Sequence, residues 1–99
     1  MLFRSHLLLE HGADVNARDN DDDAPLHLAV RHGSSDLLHL LLEHGADVNA
    51  RNDAHNTPLL LAVRYRSSDL VRLLLEHGAD VNARDNAHNT PLLLAVRHR

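Results

Sequence analysis

The segment EHGADVNAR occurs three times, at Glu10–Arg18, Glu43–Arg51 and Glu76–Arg84, each copy 33 residues after the last. Around it, Ala24–Asn56 and Thr57–Asn89 are identical at 25 of 33 positions. A fixed period of this size dictates a stacked array of like units, because no unit is large enough to bury its own apolar face. The phase reads as a back half-unit over 1–20, whole units over 24–56 and 57–89, and a front half-unit over 90–99.

Local signals alternate regularly inside one unit. Thr57-Pro58 sets a hydroxyl cap before a proline at the first helical position. A short helix is expected over Pro58–Tyr65, with Leu59, Ala62 and Val63 on one buried face. Ser67-Ser68-Asp69 reads as a turn and a second cap. A second helix over Leu70–His77 then buries Leu70, Val71, Leu73 and Leu74, with Leu75 at the edge of that face. Gly78 stands where a left-handed C-cap is wanted. Ala79–Asn89 is polar and turn-rich, which predicts an extended hairpin-like loop. Helices this short are unstable alone in water, so stacking must complete the core.

Composition removes several classes of chemistry. There is no cysteine, hence no disulfide and no zinc held by thiolates. All ten basic residues are arginine, which excludes Schiff-base and P-loop lysines. Aromatics make up 2% of the chain, too few for base-stacking platforms. The net charge of −4 disfavours nucleic acid as a partner. No apolar run approaches a membrane span, and Leu7-Leu8-Leu9 is too short for a signal-peptide core. The expectation is a soluble, cytoplasmic, non-catalytic chain with no cofactor and no metal. Ser67, Asp69 and His77 recur only because the repeat supplies them, and the serines are accounted for as turn and cap.

The blocks APLHLAV (Ala24–Val30), TPLLLAV (Thr57–Val63 and Thr90–Val96) and LLLEHGADVNA resemble the ankyrin repeat, and the likeness covers essentially the whole chain. The resemblance implies an all-α repeat solenoid, a stack of antiparallel helix pairs joined by hairpin loops. It also implies the family's usual activity, binding another protein through a concave face of first helices and hairpin tips. Three departures stand out. The histidine usual two residues after the proline survives only as His27, with Leu60 and Leu93 in its place elsewhere. Asp22, His55 and His88 replace the usual tip glycine, and Arg66 and Arg99 replace the usual inter-helix glycine kept at Gly33. If those positions need positive φ, each replacement costs on the order of 1 kcal/mol.

On that mapping Arg31, Arg64 and Arg97 form a basic ladder late on successive first helices, beside His32 and Tyr65. The tips run from acidic Asp21, Asp22 and Asp23 to neutral segments around His55 and His88. The ladder suits a protein partner with an acidic stripe, gripped by guanidinium forks. The competing reading is a solvated face balanced by Asp19 and Asp85. Asn16, Asn49 and Asn82 lie in a segment resembling the site of the asparaginyl hydroxylase of animal hypoxia signalling, although loop-backbone satisfaction explains them as well. The ends suggest a further alternative. Arg4 and Ser5 give the first helix some character of a terminal cap, whereas Pro91–Arg97 repeats an internal helix unchanged, so head-to-tail self-association into a scaffold is the rival function.

Overall fold

The computed structural model describes residues 2–98, which form six helices and no strand. These are α1 (Leu2–Glu10), α2 (Pro25–His32), α3 (Ser35–Glu43), α4 (Pro58–Arg64), α5 (Ser68–Glu76) and α6 (Pro91–Arg97). First helices α2, α4 and α6 stack on one another, second helices α1, α3 and α5 do likewise, and α2 pairs with α3 as α4 does with α5. The long axis measures 41 Å, against 26 Å and 20 Å across it.

Each start and stop has a local cause. Thr57 Oγ1 accepts from the Leu60 N–H and Thr90 Oγ1 from the Leu93 N–H, both at 3.3 Å. Ala24 has no hydroxyl to offer, and the turn is closed the other way, with the Ala24 N–H donating to His27 Nδ1 at 3.0 Å. The second helices end in a left-handed residue with paired backbone bonds. At Gly78 (φ 87°), the Ala79 and Gly78 N–H groups reach Leu74 and Leu75 C=O. The same closure follows α4, but there the left-handed residue is Arg66 (φ 59°).

The core is a continuous seam of leucine with small alanines at the close approaches. Leu26, Ala29, Leu38, Leu59, Ala62, Leu70 and Leu74 are all buried within it. The expected helix faces are modified in two places. Leu60 and Leu61 are buried as fully as Leu59, so α4 is sandwiched rather than one-sided. Leu75 is exposed, while Val71 and Leu73 are half-buried. In α1, Arg4 and Ser5 line the open side as expected, but no residue of the helix is buried, and Phe3 is 76% and Leu8 62% exposed.

Candidate protein-interaction surface

The loops between units share one construction. In the middle loop, the His55 N–H bonds Asn52 C=O at 2.9 Å and the Asn52 N–H bonds Asn56 C=O at 3.1 Å. This is a turn followed by a left-handed residue, the three-residue hairpin solution. Asp22, His55 and His88 are those residues, with φ of 60°, 60° and 65°. Each turn is braced by the side chain at its base. Asn52 Oδ1 accepts from Ala54 and Asn56 N–H, and Asp19 and Asp85 act alike at their own tips. Neighbouring tips are bonded to each other: Asp53 N–H to Asp21 C=O at 3.2 Å, and Asn86 N–H to Ala54 C=O at 3.1 Å. The result is a row of tips at fixed register.

The arginine ladder runs behind this row, and its charge is largely answered from within the chain. Arg31 pairs with Asp23, which also accepts from Asn52 Nδ2 at 2.9 Å. Arg64 pairs with Asp85, 21 residues on at the base of the next hairpin. Arg97 donates to the neutral amide oxygen of Asn89 at 2.5 Å. The carboxylate therefore shifts from one strand of the hairpin base to the other between successive junctions. Burial opposes ionisation of Asp23 and Asp85, but the donors around each outweigh it and hold both below the usual aspartate range. Arg31 is raised in turn, chiefly by its hydrogen bond to Asp23.

The predicted site residues thus divide. His32, Tyr65, His55 and His88 are exposed beside the ladder, as is Asp21 at the first tip. Arg31 and Arg64 keep 37% of their side-chain surface open despite their ion pairs. Asp22 is half-buried and bonded through its carbonyl to Arg18 at 3.0 Å. Asp23 is buried and belongs to the framework, not to the exposed tip. Oxygens of Asp19, Asp21 and Asp23 lie within 4.8 Å of one another. Backbone N–H groups, Arg31 and Asn52 already donate to that cluster, so it reads as a braced turn.

Sequence reasoning missed the stitching between units. Asn16 Oδ1 accepts from the Asp47 N–H at 2.8 Å, and Asn49 Oδ1 from the Asp80 N–H at 2.7 Å. Arg18 donates to Arg51 C=O at 2.6 Å, and Arg51 to Arg84 C=O at 3.1 Å. The recurrence of Asn and Arg every 33 residues was the available signal. Histidines of adjacent units also meet edge to face, His6 with His44 and His39 with His77, each at 6.2 Å between ring centres.

Paired helices, braced tips and inter-unit ladders define a stacked helical repeat protein. Residues 41–95 match the family described as ankyrin repeats (many copies), and residues 5–52 match ankyrin repeats (3 copies). The chain belongs to the ankyrin repeat family. Over 32 residues it is 50% identical to protein fem-1 homolog C of Homo sapiens and of Mus musculus, and 53% identical to protein fem-1 homolog A of Danio rerio. That stretch is 32% of this chain and 5% of each relative, so the chain spans a small part of the curated relatives it matches. Ankyrin repeats generally mediate protein–protein interaction. No helix among the described residues is long and apolar enough to cross a membrane.

Proposed function

We propose that this chain is a non-catalytic module that binds a protein partner, in the cytoplasm, through the face formed by its first helices and hairpin tips. One observation carries the reading. The tips are locked in register by backbone bonds, while Tyr65, His55 and His88 beside them are exposed. A preformed, amphipathic surface of this kind loses little freedom on binding. Arg31 and Arg64 contribute as guanidiniums already oriented by Asp23 and Asp85, with their open edges available to carboxylates of an acidic partner.

Those ion pairs decide how the reading is tested. Arg64→Glu would leave the buried Asp85 carboxylate without its cation, and the loss of folding would mask any loss of binding. Tyr65 is 49% exposed and can be changed safely. A photo-crosslinking residue at Tyr65 or His55 is expected to capture a partner that the same residue at Glu43, on the second-helix side, does not. Tyr65→Ala should then weaken that partner by about tenfold. Capture through Glu43 alone, or unchanged affinity in Tyr65→Ala, would remove this face from the reading.

A further inference from the structure

The two ends of the stack are bare, and they are bare in complementary ways. Leu92 is 73% exposed, although its counterparts Leu26 and Leu59 are 1% and 2% exposed. Val96 is 61% exposed where Val30 is 1%. An open groove of about 740 Å³ runs between α5 and α6, lined by Val63, Val71, Leu75 and Ala95 among others. At the opposite end, Leu8 is 62% exposed where Leu41 and Leu74 are 5% and 0%. A notch of about 510 Å³ beside it, lined by Leu2, Leu8 and Leu37 with Ser5 and His32, lies where a first helix would pair with α1. Among the described residues, α6 has no second helix paired with it and α1 has no first helix.

We propose that the occupant of each end is a second copy of this chain, docked head to tail, with its α1 in the groove beside α5 and α6. The polar framework singles out this partner. Two positions flank each ladder arginine, the residue eight before it and the residue 21 after it: Asp23 and Asn52 for Arg31, Asn56 and Asp85 for Arg64. For Arg64 the earlier position is the amide, Asn56, and the later one is the carboxylate, Asp85. For Arg97 the earlier position is again an amide, Asn89, to which it donates, and it has no ion pair among the described residues. Residue 85 corresponds in the 33-residue register to residue 19, which is Asp19, exposed at the other end. A docked copy therefore brings Asp19 to Arg97 as Asp85 comes to Arg64. The backbone ladder continues in the same register: Asn82 meets the Asp14 N–H of the second copy as Asn49 meets Asp80.

Arg4 and Ser5 stand where internal units carry leucine or valine, so this junction is weaker than an internal one and forms reversibly. The contact is heterologous and each copy has both ends, so assembly does not stop at two chains.

Light scattering across a wide concentration range tests the proposal with the intact chain. The mass of the unaltered protein should climb from 11.0 kDa with concentration and pass two chains. Leu8→Glu blocks one end and Val96→Glu the other; both sites are more than half exposed, and helical circular dichroism checks that each variant folds. Each variant alone should stay monomeric, and their equimolar mixture should stop at two chains. A mass of 11.0 kDa at every concentration overturns the proposal and leaves these faces to another occupant, such as a neighbouring repeat of a longer chain. Self-association of either single variant also overturns it, because the contact is then not head to tail. Asp19→Asn keeps the turn brace, as Asn52 shows, and removes the charge. It should weaken association about fivefold or more; an unchanged constant overturns the register.

Discussion

The imidazole of His27 is fully buried, accepting from Ala24 N–H at Nδ1 and donating to Asn56 C=O from Nε2 at 2.9 Å. Both bonds together require the neutral ring. Burial pushes its pKa below the ordinary histidine value, and the bond to Asn56 and the nearby Asp23 only partly oppose this. The unfolded chain therefore takes up the proton first as pH falls. This contribution to stability is fully present above about pH 6.5 and is lost as pH drops from there toward the depressed folded value. The slope from this one group cannot exceed about 1.4 kcal/mol per pH unit. Replacing it with leucine, the residue at the matching buried position Leu60, should flatten the fall in urea midpoint between about pH 7.5 and about pH 5.5. An equal slope in His27→Leu would assign the acid sensitivity elsewhere. Asp23 and Asp85 act in a separate window, since their depressed values withdraw stability only below the usual aspartate range. The sequence already marked Asp22, His55 and His88 as seats of positive φ, because a repeat exposes a missing glycine by its position. It could not show that Asp23 is buried or that Arg64 is answered by Asp85. Those facts depend on which of two loop positions carries the charge at each junction, and that choice changes along the chain.

Helix boundaries were readable to within two residues, since proline, threonine and glycine each act on the backbone next to them. Which leucines are buried was less readable: α4 has neighbours on three sides, and a periodic pattern reports only one face. The two short turns between paired helices give a comparison inside a single molecule. Gly33 (φ 68°) and Arg66 (φ 59°) close α2 and α4 with the same backbone bonds, but only glycine takes that conformation without cost. Arg66→Gly should stabilise the protein by about 0.5–1 kcal/mol, the relief of strain exceeding the added freedom of the unfolded chain. In a domain of this size that raises the melting temperature by a few degrees, roughly 4–8 °C per kcal/mol. A lower melting temperature would mean that the Arg66 side chain contributes more than its backbone costs. Leu74, wholly buried between units, carries the opposite expectation. Its truncation to Ala should cost ~2–5 kcal/mol in urea unfolding, and a change below about 0.5 kcal/mol would contradict its place in the seam.

In a stack, each unit is stabilised by its own packing and by the neighbours it touches, so stability is distributed by position. Here α4 lies between α2 and α6 and against α5, while α1 packs mainly on α3 and α6 mainly on α4. The end helices repeat much of the internal sequence, which makes position the main variable: PLLLAVR is both α4 and α6. Leu59, Leu60 and Leu61 are all buried in α4, whereas the same residues in α6 leave Leu92 and Leu93 open and only Leu94 covered. Native-state hydrogen exchange at low protein concentration should therefore rank α4 above α6 despite their identical sequences, with α1 as labile as α6. Equal protection in α4 and α6 would mean that local sequence, and not stacking, sets their stability. Raising the concentration separates the two sources of protection. If copies dock end to end, exchange in α1 and α6 slows while α4, already covered on both sides, keeps the rate set by opening of the whole stack.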